Sequence, residues 1–329
     1  MTTKTSTVNL LFTSAGRRVE LMRLYQRART GLKLDGRTIV TDIDPLAPAN
    51  QVADEHVLVP RCNDPDYLPA LAEICRRESV DLVFPLIDPD IPVLAHGRKT
   101  LEETGATVVV LPAQSVDQTV DKWLTYQFFR SIDIPTPQTW LPDEINPKQA
   151  EYPLFVKPRF GSAARHTYKV ANPVELAFFM DYVPHPIIQG YLPGEEITND
   201  VICSLKGKLW AVVSRQRIEV RWGEVAKGVT ILDRDIQAHC RTIAKALEAV
   251  GPITVQCILK DGQPYFTEIN ARYGGGHPLA IAAGIDTPSW YLSQAAGMEI
   301  EIPALDQYQT GLYLTRFDDS FFLAQDDFD

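Results

Sequence analysis

No pair of cysteines in this 329-residue sequence has C-x-x-C spacing. The five that occur (Cys62, Cys75, Cys203, Cys240, Cys257) are dispersed and odd in number, which fits reduced thiols rather than a disulfide framework. The six histidines show no metal-ligand spacing either. No apolar run approaches the roughly 18 residues of a membrane span. The first residues, MTTKTSTVNLLF, lack an apolar h-region followed by a cleavage site, so the expected location is cytoplasmic. Positive charge is also in short supply. There are 42 acidic against 32 basic residues, a net charge of -10. That balance argues against a protein that coats a polyanion, because nucleic-acid binders present a basic face. A local basic pocket remains compatible with it. Repeats, low-complexity stretches and long linkers are missing too.

What is present is ordinary globular material, 45% hydrophobic and 22% charged. At roughly 100–200 residues per domain the length predicts two or three domains. Strand and helix signals alternate over the first 110 or so residues. Strands are expected at Val8–Phe12, Thr38–Ile43, Val80–Ile87 and Thr107–Leu111, with a helix over Arg17–Arg29. Asp64-Pro65 reads as an N-cap with proline at the first helical position, before the helical spacing of Leu68, Leu71, Ala72 and Cys75. This alternation predicts a parallel sheet with helices on both faces. The pattern changes after Pro112, where one boundary falls. Ser115–Arg130 reads as one helix and His239–Val250 as another. Ile253–Leu259 and Pro264–Ile269 read as strands joined by the tight turn Asp261-Gly262.

Chemistry concentrates in three segments. On a strand, residues two apart share a face, so Glu268, Asn270 and Arg272 point one way. A carboxylate and an amide oxygen are hard ligands suited to Mg²⁺, and a guanidinium can fork onto a phosphate. Gln256 on the partner strand can bring another oxygen. A solvated sheet face with an incidental ion pair would give the same pattern. In Phe155-Val-Lys157-Pro-Arg-Phe-Gly161-Ser162-Ala163-Ala, a strand delivers a lysine and opens into a small-residue loop whose N–H groups can approach phosphates. A hairpin turn with a surface lysine is the alternative, since the spacing is not that of a Walker loop. In Gln189-Gly-Tyr191-Leu192-Pro-Gly-Glu-Glu196, an extended segment with free backbone groups can read a purine edge, and a later carboxylate can hold ribose. Linkers between lobes look similar.

Taken in order, and with Asp121-Lys122 upstream, these segments resemble the ATP-grasp superfamily. Leu11–Arg18, Thr41–Ala49 and the stretch Asn270-Ala-Arg-Tyr-Gly-Gly-Gly276 are similar to stand-alone members of its carbamoyl-phosphate-synthetase-like branch. The resemblance implies a Rossmann-like α/β parallel-sheet domain over residues 1–112. A two-lobed ATP-grasp domain of α+β character follows, with a small lobe at 113–190 and a large lobe at 191–329. It implies ATP and Mg²⁺, two ions in the usual form, with Mn²⁺ able to substitute. Lys122 and Lys157 would contact phosphates, and Gly161, Ser162 and Ala163 would form a lid. Tyr191 and Leu192 would meet adenine beside Gln189, and Glu196 would hold ribose. Gln256, Glu268 and Asn270 would bind metal, and Arg272 would grip a phosphate. Many family members carry an acid where Gln256 stands, although this branch often has glutamine. The implied reaction joins a carboxylate to an amine through an acyl phosphate, releasing ADP, and a homodimer fits the class. A full carbamoyl-phosphate synthetase large subunit has two such units and this chain has one, with no glutaminase, which counts against carbamoyl phosphate as its product.

Two features stand outside the resemblance. Alternation on the strand Ser214–Arg221 places Arg215, Arg217, Glu219 and Arg221 on one face. Unpartnered, three arginines there would repel. Either they pair with acids, or Arg217 and its neighbours take an anionic substrate or the acyl phosphate, with Lys227 reaching the same pocket from the loop after Trp222. The turn Thr13–Arg18 can form an anion site from backbone N–H groups and a helix N-terminus. Asp88 and Asp90 follow a strand end, where open α/β sheets place ligands, and helix capping is the other reading. Two further functions compete with the ligase: a catalytically silent ATP-binding regulatory protein, and a nicotinamide-dependent oxidoreductase. The missing G-x-G-x-x-G counts against the latter.

Overall fold

Leu10, Leu11 and Phe12 are all fully buried. Alternation alone would expose every second one, so the strand that carries them is covered on both faces. The computed structural model describes residues 6–161, 165–221 and 223–324. In it, β1 (Leu10–Thr13), β2 (Thr38–Asp42), β3 (Glu55–Leu58), β4 (Leu82–Pro85) and β5 (Thr107–Val108) form a parallel sheet of order β3-β2-β1-β4-β5. Its helices are α1 (Val19–Gly31), α2 (Tyr67–Glu78), α3 (Asp90–His96) and α4 (Arg98–Glu102). Leu11 enters one core with Leu71, Val83 and Leu94, while Leu10 and Phe12 enter another with Met22, Tyr25 and Phe84.

The edge strand β3 carries half-exposed residues in alternation, too weak a pattern to be anticipated from sequence. Helix α2 starts at Tyr67 rather than at Pro65. Asp64 makes a turn instead, its carboxylate accepting from the Asp66 N–H at 2.9 Å. The expected helix Ser115–Arg130 is two, α5 (Ala113–Val120) and α6 (Lys122–Ser131). Asp121 divides them in extended conformation and caps α6 by accepting from the Trp123 N–H at 2.9 Å.

A four-stranded antiparallel sheet of order β6-β9-β7-β8 follows, built from β6 (Thr139–Trp140), β7 (Leu154–Pro158), β8 (Tyr168–Val170) and β9 (Pro186–Gly190). With α7 (Pro173–Tyr182) it has its own core of Leu154, Val156, Val170, Leu176 and Ile188. The last sheet has order β14-β13-β10-β11-β12-β15. Its strands are β10 (Glu195–Cys203), β11 (Leu209–Arg221), β12 (Glu224–Ile231), β13 (Pro252–Lys260), β14 (Gln263–Asn270) and β15 (Tyr313–Thr315). Between β12 and β13 runs α8 (Arg234–Ala246), and α9 (His277–Ala282) and α10 (Thr287–Ala295) follow β14. The start of α8 lies five residues before the expected one because Asp233 caps it, accepting from the Ile236 N–H at 2.9 Å. The β13–β14 turn is as expected. Asp261 and Gly262 take φ of 50° and 77°, the positive pair that a twisted two-residue hairpin requires.

The parallel sheet and the six-stranded sheet share their cores. Ile197, Val212 and Phe266 belong to the cluster of Leu11, and Trp210 and Tyr273 to that of Phe12. This packing turns the carboxyl ends of β1 and β4 toward the six-stranded sheet. No helix among the described residues is long and apolar enough to cross a membrane.

Candidate active site

One face of the six-stranded sheet carries a row of polar side chains. Register places Arg215 of β11 beside Thr198 of β10, Thr198 beside Gln256 of β13, and Gln256 beside Glu268 of β14. Two residues along, Asp200, Thr254 and Asn270 form the next row on the same face. Gln256, Glu268 and Asn270 therefore meet as neighbours. Among the described residues, none hydrogen-bonds to any of these three side chains. Asn270 is nonetheless buried. One carboxylate and two amides, all hard donors left free by the protein, fit a magnesium ion. No cluster of three His, Cys, Asp or Glu occurs among the described residues, so any such site depends on the amide oxygens.

Lys157 approaches this edge from the four-stranded sheet, and Lys122 from the first residue of α6. Lys157 on β7 is buried, donating to Gln189 Oε1 at 3.0 Å. Gln189 is fixed in turn by donating to Thr139 Oγ1 at 3.0 Å. Burial pushes the Lys157 ammonium down to about 8; Glu268 opposes that shift and Lys122 adds to it. Lys122 donates to the Gly161 carbonyl. Arg159, two residues earlier, is held by Asp121, its Nε donating to both carboxylate oxygens at 2.7 and 2.8 Å. Ser162 and Ala163, and Trp222 in the β11–β12 turn, lie outside the described residues. Past β9 the chain crosses to the large sheet through Tyr191 and Leu192. The Lys169 ammonium sits 3.9 Å from the Tyr191 ring centroid. Leu192 has no backbone hydrogen-bond partner among the described residues, leaving its N–H and C=O free. Glu196 is 60% exposed and pairs with Arg217 at 3.2 Å.

A cavity of about 90 Å³ opens beside the polar row. Arg215, Arg217, Gln256, Asn270 and Arg272 line it together with Arg18, Glu224 and Gly274–Gly276. The expected face of Arg215, Arg217, Glu219 and Arg221 is broken, because register shifts on both sides of Glu219 interrupt the alternation. Arg215 is fully buried and forks onto buried Asp200 at 2.6 and 3.1 Å. Asp200 is held at about 2: burial raises it, but Arg215 and His277 outweigh that. Arg221 and Lys227 both bind Glu219, at 2.7 Å each, outside the cavity. Lys227 thus does not reach the pocket of Arg217. Arg272 lines the cavity beyond the end of β14, but is tied to Asp88 at 2.7 and 2.8 Å and to the Tyr273 carbonyl at 3.0 Å. Asp88 is an ion-pair partner and caps no helix. Asp90 is buried and accepts from Thr13 Oγ1 at 2.7 Å. The expected anion site in the Thr13–Arg18 turn is already served, since Asp42 accepts from the Gly16 N–H at 2.8 Å.

Sequence reasoning left three participants unassigned. Arg18 lies 3.5 Å from Glu224, Arg316 binds the same carboxylate at 2.9 Å, and Arg316 also donates to the Gly275 carbonyl. Only the positive end of the β1 turn hinted at Arg18. The glycines beside them leave little room for a side chain, least of all Gly276, which faces the fully buried Arg215. A Cβ on Gly276 would lie 2.2 Å from Arg215 Nη1, and one on Gly275 2.8 Å from Arg18 Nη1.

Residues 10–109 match the PylC-like N-terminal domain, and residues 119–276 match the ATP-grasp domain. The chain carries an ATP-grasp domain. It is 26% identical over 187 residues to a carbamoyl-phosphate synthase of Methanobrevibacter smithii, covering 55% of itself and 50% of the relative. It is 26% identical over 260 residues to the 3-methyl-D-ornithine–L-lysine ligase of Methanosarcina acetivorans, covering 78% and 66%. It spans 19% of a third relative, the arginine-specific carbamoyl phosphate synthase large chain of Halalkalibacterium halodurans. Similar folds include the biotin carboxylase domain of Hydrogenobacter thermophilus 2-oxoglutarate carboxylase in complex with MgADP, with TM-score 0.72 and 17% identity over 92% of this chain and 73% of that one. The L-amino acid ligase of Bacillus licheniformis has TM-score 0.69 and 20% identity, over 89% and 75%.

Proposed function

We propose that this chain is an ATP-dependent, ADP-forming ligase that joins a small-molecule carboxylate to an amine through an acyl phosphate. The observation that carries the reading is the adjacency of Gln256, Glu268 and Asn270 on one sheet face, their side chains without a hydrogen bond among the described residues, with the Glu268 carboxylate acting on the buried Lys157 ammonium. In this proposal Lys157 and Lys122 hold the ATP phosphates beneath the 161–163 loop. The free backbone of Leu192, beside Tyr191, reads the adenine edge. Gln189 orients Lys157, and Glu196 lies at the ribose end. Gln256, Glu268 and Asn270 hold Mg²⁺, which when bound neutralises phosphate charge. The division into units 1–112, 113–190 and 191–329 is part of the same reading.

Phosphoryl transfer needs positioning and charge neutralisation more than a protein nucleophile. A carboxylate oxygen attacks the γ-phosphorus, and ADP leaves. The amine then attacks the acyl carbon, loses a proton and expels phosphate. In this reading Arg272, held at the cavity by Asp88, offers its positive charge to the transferred group. A screen of pooled amino acids and small carboxylates with MgATP tests this. ADP appearing only when a carboxylate and an amine are both supplied supports it. AMP formation sinks it, and tight ATP binding without turnover would favour a regulatory protein instead.

A further inference from the structure

We propose that Arg18 and Arg217 form the seat for a small oxyanion in the cavity, so that the N-terminal parallel sheet supplies a ligand-binding side chain to the large-lobe site. The argument is a charge account. Four arginines line the cavity, and two are already satisfied. Arg215 is forked by Asp200, and Arg272 by Asp88. Each has a two-point carboxylate partner at close range, so neither arginine is short of a counter-charge, although Asp200 also faces His277 and Asp88 also acts on Arg18.

The other two are different. Arg18 has one ion-pair partner, Glu224 at 3.5 Å, and its guanidinium makes no hydrogen bond to any described residue. Glu224 is itself shared with Arg316 at 2.9 Å, so two cations divide one carboxylate. Arg217 has a single contact with the solvent-exposed Glu196 and a weak one, at 3.3 Å, to the Gly223 carbonyl. Water screens such an exposed partner and makes it worth little. Arg18 is 85% covered and lines the cavity. A covered guanidinium with unused donors is costly unless a ligand completes it. Burial accordingly lowers Arg18 to about 10. An oxyanion between the two would meet forked donors from both. At about 90 Å³ the cavity admits a small group such as a carboxylate or a phosphate.

The assignment of that group as the substrate carboxylate or the transferred phosphoryl rests on the ligase reading; the seat itself does not. Calorimetric titration of the whole chain with inorganic phosphate and with acetate tests it. Saturable binding is expected, weakened about 10- to 100-fold in Arg18→Met and in Arg217→Met. Arg18→Lys, which keeps the charge, should retain an intermediate affinity, and thermal unfolding of each variant shows that it is folded. Acetate binding that persists with Mg²⁺ and a non-hydrolysable ATP analogue assigns the seat to the carboxylate. Displacement by the analogue assigns it to the γ-phosphate. Absent binding in the wild type, or folded variants that bind equally well, overturns the proposal. Oxyanion binding without binding of the ATP analogue would sink the ligase reading and leave the seat standing.

Discussion

Asp88 and Arg272 are 184 residues apart in the chain and meet in a two-point ion pair of 2.7 and 2.8 Å. The carboxylate follows β4 of the parallel sheet, and the guanidinium follows β14 of the large sheet. The pair is the polar counterpart of the apolar core the two sheets share.

Removing Asp88 should therefore do more than loosen a surface. The pair is largely covered, at 23% and 15% side-chain exposure, so Asp88→Ala should cost about 1–3 kcal/mol. A denaturant double-mutant cycle with Arg272→Ala should recover a coupling of about 1 kcal/mol or more. Additive effects would show that the pair holds nothing. In the proposed reaction Asp88→Asn should lower kcat more than it raises the KM for ATP.

Lys157 predicts a pH dependence. Its folded-state pKa, about 8, lies below its ordinary value of 10.5. The folded protein thus holds fewer protons than the unfolded chain between those values, and this group's contribution to stability rises with pH across that window. Nucleotide binding should run the other way. Phosphates favour the charged ammonium, so affinity for MgATP should fall as pH climbs through about 8. Lys157→Met should flatten that limb, measured by equilibrium binding from pH 7 to 9.5. An unchanged slope in the variant would remove Lys157 from the phosphates.

The donor set makes opposite predictions for two neighbours. Glu268→Gln removes the one carboxylate of the trio and should raise the Mg²⁺ concentration needed for ADP release by about tenfold or more. Gln256→Glu adds a second carboxylate opposite Glu268 and should lower that concentration. Identical Mg²⁺ titrations for both variants and the wild type would place the metal elsewhere.

Gly276→Ala would press a methyl group to within 2.2 Å of Arg215 Nη1 and 2.6 Å of Val225 Cγ1. Overpacking of this kind costs about 1–3 kcal/mol, and the fully buried Arg215–Asp200 pair has little freedom to yield. Gly31→Ala, at the end of α1 where nothing lies within 4 Å, is the control and should be neutral or slightly stabilising. Urea unfolding of the two variants separates the cases; equal midpoints would show that the glycine loop has room.

Much of the architecture was legible because it is local. Alternation, turn chemistry and apolar runs placed β1, β2, β4 and the β13–β14 hairpin within a few residues. The turn register alone would set Gln256 opposite Thr267; a register shift between Gln256 and Cys257 brings Gln256 opposite Glu268 instead, and that shift is not legible in the sequence. The break at Asp121 was missed although its signal was local: an aspartate two residues before a Trp-Leu pair is a capping pattern set inside an otherwise continuous helical one. The arginine face failed for a different reason. A register shift leaves no mark in periodicity, so Arg215, Arg217, Glu219 and Arg221 could not be sorted into their separate pairs.

The sequence by itself thus determined strands β1, β2, β4, β13 and β14, the order in which Lys122, Lys157, Gln189 and Glu268 occur, and the sharing of one face by Glu268 and Asn270. Those follow from backbone periodicity, which acts over a few residues. Only the tertiary structure decided which charges are spent. Asp88 neutralises Arg272, Asp200 neutralises Arg215, and Arg18 reaches Glu224 from the far end of the chain. An ion pair depends on distance in space, and that distance is fixed by how two sheets pack.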